Sequence, residues 1–241
     1  MSRVPGSPEE IFVPLTQDYL QVFARELVSV IIYGSAAGGS YIKGKSDINL
    51  LLILTPPGMA KLAEAFSIIR QWKKRRVAVP LALTKEFIAA SLDSYPIEFL
   101  NMKNSHILIY GENVLEQLEF KHDNLRLQIE RELRGKLIHL RQGYLEAEGN
   151  GRKLRELIRV SFTAFISIFN ALLYLKKGLA PQERRETIKE VSAIFAVDMD
   201  VFGNCASIKE GVDKFSRRDV EEIFGKYVQE VEKICNIVDA L

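Results

Sequence analysis

The spacing of apolar residues changes character once along the chain. From Gln17 to Leu27 they recur at Leu20, Phe23, Ala24 and Leu27, the face of one helix. Val28–Tyr33 is then a short apolar run closed by Gly34, the signature of a buried strand. Ile48–Leu54 is a second such run, stopped by Pro56-Pro57-Gly58. The pattern next predicts a helix over about Met59–Lys74, a strand over Val77–Leu83 and a short helix around Lys85–Leu92. Two more strands follow, Pro96–Met102 and His106–Tyr110. Strands separated by helices and closing in two adjacent strands imply an α/β or α+β domain with a mixed sheet.

Beyond Lys121 the strand signals stop. Helical spacing covers Asp123–Glu148, Arg152–Lys177, Pro181–Phe195, Ala206–Phe215 and Ser216–Ala240. The breaks fall at Gly149-Asn150-Gly151, at Gly178–Pro181 and around Gly203-Asn204. Ser216 with Asp219 reads as an N-cap and first-turn acid, and Pro181 as a first helical residue. The expectation is an α+β domain over 1–122 followed by an all-α helical bundle over 123–241.

Composition narrows the function classes. The 241 residues carry 33 Lys+Arg against 31 Asp+Glu. Up to residue 122 there are 13 basic and 12 acidic residues, and beyond it 20 and 19. Neither half has the basic excess of a general nucleic-acid binder. Cys205 and Cys235 lack metal-type spacing and suit a reducing compartment, so a cytoplasmic protein is expected. No signal-peptide core opens the chain, and Val160–Leu175 is too short and too interrupted by polar residues for a bilayer span. No membrane role is expected.

One segment carries chemistry. Val30-Ile31-Ile32-Tyr33 delivers a Gly34-Ser35 turn, and a loop with Lys43 and Lys45 leads to Ser46-Asp47-Ile48-Asn49-Leu50-Leu51. Gly34 allows close backbone approach to a ligand, and the Ser35 hydroxyl can donate to a phosphate oxygen. Period-two geometry sets residues 47 and 49 on one side of the sheet. Oxygen donors there, beside a phosphate cradle, suit Mg²⁺.

These residues resemble the signature of the DNA polymerase β-like nucleotidyltransferases: an apolar strand, Gly-Ser, a spacer, then Asp-x-Asp or Asp-x-Glu. They look most like the bacterial aminoglycoside and small stand-alone members, which commonly carry a helical bundle. The resemblance is specific over about residues 30–54. It implies Mg²⁺ ions held by three carboxylates, with ATP or another nucleoside triphosphate giving a nucleotidyl group to a hydroxyl of an unknown acceptor. It places Asp47 at the first carboxylate position and Gly34, Ser35, Lys43 and Lys45 on the triphosphate. The third acid of the family lies in a neighbouring strand, and Glu98 is the best match. Asp47 and Glu98 are then the catalytic metal ligands.

The second position departs from the family. Asn49 brings no charge and competes poorly with water for magnesium. The alternative reading is therefore a catalytically silent nucleotide- or partner-binding module, of the kind found in toxin–antitoxin pairs. A homodimer and a helical protein partner both remain open.

Other features have plainer readings. Lys73-Lys74-Arg75-Arg76 suits a helix C-terminus better than a nucleic-acid patch. Arg134 to His139 has the Arg-x4-His spacing of HEPN ribonucleases, with Gly135 where a polar residue is usual. Arg126, Glu130 and Arg134 are spaced as an ion-pair ladder.

Overall fold

The computed structural model describes residues 3–239. The chain divides after Phe120 into two compact units. In the first, β1 (Leu27–Tyr33), β2 (Asn49–Leu54), β3 (Leu81–Leu83) and β4 (His106–Gly111) form one sheet, in the order β3-β2-β1-β4. β1 is antiparallel to β2 and β4, while β2 and β3 are parallel, so the sheet is mixed. The parallel pair requires a crossover, which a single turn α2 (Pro56–Met59) and α3 (Phe66–Lys73) supply. Helix α1 (Phe12–Phe23) precedes the sheet, and α4 (Lys85–Ser91) and α5 (Pro96–Asn104) lie between β3 and β4 in sequence.

Alternate residues of the central strands feed two cores. Val30, Ile32, Leu50 and Leu52 join Leu15, Tyr19 and Phe23 of α1 and Trp72 of α3. Ile31, Leu51 and Ile53 join Ile88 of α4 and Phe99 and Met102 of α5. A strand covered on both faces has no polar side to show, which is why these segments read as unbroken apolar runs. Each fully buried Leu or Ile contributes roughly 1.5–3 kcal/mol.

The structure corrects several sequence expectations. Pro96–Met102 is not a strand but most of helix α5. Pro96 takes the first helical position, where its missing N–H costs nothing, and Ile97, Phe99, Leu100 and Met102 are all buried. Apolar residues two apart had suggested a strand, yet 97/100 and 99/102 are equally the i,i+3 pairs of a helix. Pro56 and Pro57 likewise open a helical turn, with the Thr55 hydroxyl accepting from the Gly58 amide at 3.3 Å. The expected Val77–Leu83 strand shortens to Leu81–Leu83 plus an isolated bridge at Val77. Pro80 between them has no N–H for a ladder.

The second unit is all helical: α6 (His122–Ala147), α7 (Gly151–Lys177), α8 (Arg184–Phe195), α9 (Met199–Glu210) and α10 (Arg217–Asp239). Helix α7 packs against the other four. By length and composition it could cross a membrane. Here Phe162, Phe165, Phe169 and Leu172 are completely covered by the bundle. Phe165 meets Tyr227 of α10 edge-on at 5.5 Å, and Phe169 meets Phe202 of α9 at 5.1 Å. Asn150 caps α7 through the amides of Arg152 and Lys153, as the glycine-flanked break suggests.

Two helix boundaries differ from expectation. Pro181 lies outside α8, which starts at Arg184. Gly203 lies inside α9 rather than in a loop, because Asp198 caps that helix and Gly211, at φ +73°, ends it. Ser216 and Asp219 form the expected reciprocal cap of α10, at 3.2 and 2.8 Å. The expected last residue of that helix, Ala240, lies outside the described residues. Cys205 and Cys235 are buried and unpaired, and desolvation pushes both thiols up.

Candidate functional site

Strand β1 ends in the Gly34-Ser35 turn. Gly34 has φ +75°, a left-handed conformation open to glycine, and a Cβ there would lie 3.1 Å from Asn49 Nδ2. Ser105, just beyond α5, locks the turn from one side. Its carbonyl accepts from the Gly34 amide at 3.0 Å, and its hydroxyl donates to the Gly34 carbonyl at 3.1 Å. The Gly34 carbonyl also accepts from the Ala37 and Gly38 amides, both at 2.9 Å. Among the described residues nothing binds the Ser35 hydroxyl, which is half-buried at this turn. Lys43 and Lys45 are exposed on the following loop.

Asp47 stands two residues before β2, and Asn49 is its first residue. Ile48 between them is completely buried in the α1 side of the core. Asp47 and Asn49 therefore face the other side of the sheet, as the period of two requires. What lies beside them is set by the parallel neighbour. Ile48 bridges Val77: its amide donates to the Arg76 carbonyl at 2.9 Å and its carbonyl accepts from the Ala78 amide at 2.9 Å. The residues flanking Asp47 and Asn49 on that neighbour are thus Arg76 and Ala78.

Arg76 makes the one side-chain ion pair of Asp47 among the described residues. Its Nη2 lies 3.1 Å from Asp47 Oδ1 and also donates to the Lys45 carbonyl at 2.9 Å. The backbone of Arg76 is left-handed, with φ +63°, a strained state for a long side chain. The nearby Tyr41 phenol is pushed up, chiefly by desolvation, against an opposing effect of the Arg76 charge.

Glu98 sits in the first turn of α5, exposed to solvent. The opposite end of that helix adjoins Ser105, the residue that holds Gly34. At 1.5 Å per residue, Glu98 lies about 10 Å along the axis from that contact. The structure sets Asn49 against Gly34 and Asp47 against Arg76, and places Glu98 in the first turn of α5. The segment that neighbours β2, residues 76–83, contains no acid.

This donor set does not fit the two Mg²⁺ ions of the resemblance. Magnesium needs charged oxygen ligands in near-octahedral array. Here one carboxylate is paired with a guanidinium, the second position is an amide, and the segment bridged to Ile48 brings Arg76 and Ala78. Among the described residues no cluster of three or more His, Cys, Asp or Glu side chains could hold a metal.

No family model matches the chain, and no curated protein matches it in sequence. Among solved structures it resembles a spectinomycin adenyltransferase of Enterococcus faecialis, determined with ATP and spectinomycin. The TM-score is 0.51 and the identity 11%, covering 94% of this chain and all of that one. The fold is the nucleotidyltransferase fold. The coverage takes in both units, so the helical bundle belongs to the likeness as much as the sheet does. At this identity the likeness concerns architecture alone.

Within that nucleotidyltransferase fold, the residue missed from sequence was Arg76. It reads as one of four cations ending a helix, and indeed Arg75 stacks over Trp72 at 4.6 Å. Only the parallel pairing separates Arg76 from its neighbours and sets it beside Asp47. In the helical unit Arg134 is held by Glu130 at 3.2 Å and Asp239 at 2.8 Å, and Arg126 by Glu130 at 3.3 Å. The arginine of the Arg-x4-His spacing is thus a member of an ion-pair ladder.

Proposed function

We propose that the protein binds a nucleoside triphosphate on a nucleotidyltransferase scaffold without performing the two-metal transfer. In this reading the Gly34-Ser35 turn, Lys43 and Lys45 hold the phosphates, and Asp47 and Asn49 border them. The ion pair between Asp47 and Arg76 carries the proposal, because it neutralises the carboxylate that a metal would need. Glu98 serves its helix and not the phosphates. The setting is cytosolic, and the role is that of a regulatory or partner-binding module, with a second copy or a helical protein as the partner class.

One observation favours a second reading. The likeness to an enzyme determined with ATP and spectinomycin extends over 94% of the chain, which supports nucleotidyl transfer to a small hydroxyl-bearing acceptor. A single experiment separates the two. The protein is titrated with each of the four nucleoside triphosphates by calorimetry, then incubated with them, magnesium and aminoglycoside-type acceptors while pyrophosphate is measured. Saturable binding without pyrophosphate is the expected result. Pyrophosphate release that disappears in Asp47→Asn establishes the transferase reading instead.

A further inference from the structure

We infer that Arg76 is the built-in cation of this site: its guanidinium takes the place of a divalent metal beside Asp47 and grips the triphosphate directly. The inference rests on the nucleotide-binding reading above. It makes that binding independent of metal, which the reading alone does not require.

Three observations converge on this residue. The first is position. The parallel pairing at Ile48 and Val77 sets Arg76 at the strand position flanking Asp47. A cation stands where it faces the first motif carboxylate. The second is the state of the guanidinium. Of its five N–H donors, those on Nη2 serve Asp47 and the Lys45 carbonyl. Its Nε is buried without a partner, and Nη1 has none among the described residues. The Nη1 donors are therefore left for a phosphate oxygen, whereas Nε is enclosed. The third is the backbone, held left-handed at φ +63° at a residue that is not glycine. Strain and an unpaired donor meet in one residue beside the phosphate turn, and such costs collect at functional sites.

The charge count agrees. Two divalent ions set against three carboxylates leave one net positive charge for a triphosphate. Here Asp47 is set against Arg76, Lys43 and Lys45, which leaves two. The site reaches a positive field with no ion to recruit. The side chains of Arg76 and Asp47 are 37% and 60% exposed, so an incoming phosphate can reach the pair.

The test has a nucleotide arm and a metal arm. ATP is titrated by calorimetry in EDTA and in magnesium, with wild-type protein and Arg76→Gly, a substitution that suits the backbone and should leave the thermal melt unchanged or higher. Wild-type affinity should differ by no more than about threefold between the buffers. Arg76→Gly should weaken binding in EDTA by at least about tenfold, the loss of one charge-assisted phosphate contact. Separately, manganese is titrated by electron paramagnetic resonance without nucleotide. Wild type should bind none at millimolar concentration. The variant Asn49→Asp with Arg76→Asp, which sets three carboxylates around the position, should bind one ion. Aspartate tolerates the left-handed backbone. ATP binding that needs magnesium, unchanged affinity in Arg76→Gly, or manganese binding by wild type overturns the inference. Binding of ATP in neither buffer overturns the proposed function instead. The metal arm then decides alone whether Arg76 holds the metal position, and a double variant that stays blind to manganese shows that it does not.

Discussion

The two edges of β2 tell different stories about one site. On the β1 edge, the Gly34-Ser35 turn is held by Ser105 through two hydrogen bonds, and Asn49 packs against it. On the β3 edge, Arg76 closes on Asp47. Both edges belong to the same sheet, with the same hydrogen-bonded frame. The difference teaches that one scaffold can fix a glycine turn tightly while leaving the side chains beside it free to vary. The turn depends on backbone geometry that the sheet enforces. The metal site depends on three side chains that any substitution can change without disturbing the fold.

The largest expected effect comes from breaking the β1 edge. Gly34→Val places a branched side chain at φ +75° and within about 3 Å of Asn49. We expect a loss of about 2 kcal/mol in thermal or urea unfolding and no measurable ATP binding. A variant that binds ATP like the parent would remove the turn from the site.

An intermediate effect sharpens the β3 edge. Asp47→Asn frees Arg76 and removes a negative charge from beside the phosphates. ATP affinity in EDTA should rise about threefold to tenfold, whereas a metal-dependent transferase would bind more weakly. The direction of the change, read by calorimetry, discriminates between them.

The smallest effect tests Glu98, which lies on a helix and not on a strand. Glu98→Gln removes a first-turn acid that favours its helix end, so stability should fall by about 0.3–1 kcal/mol in a thermal melt. ATP affinity should stay within about twofold of the parent. A drop of tenfold or more would return Glu98 to the site.

Much of this arrangement was legible from local pattern. Val28–Tyr33 and Ile48–Leu54 read as buried strands because both of their faces are covered, and the structure finds them so. Gly34 and Asn49 come together because β1 and β2 pair antiparallel with Tyr33 opposite Asn49. The failures are equally local. Ile97 and Phe99 alternate like a strand, but Pro96 starts a helix whose i,i+3 pairs use the same residues. Glu98 was mistaken for a strand acid on that account. Gly203 suggested a break, yet the cap at Asp198 and the left-handed Gly211 set the limits of α9.

By itself the sequence determined the sheet unit, the helical bundle after it, and the Gly34-Ser35 turn with Asp47 and Asn49 on one face, since all of these follow from periods of two and 3.6 and from glycine. Only the tertiary structure decided what stands opposite Asp47. That depends on a parallel pairing between segments almost thirty residues apart, and a parallel register is carried by the crossover between strands and not by either strand alone. The pairing turned one arginine in a run of four cations into the partner of the one motif carboxylate that remained.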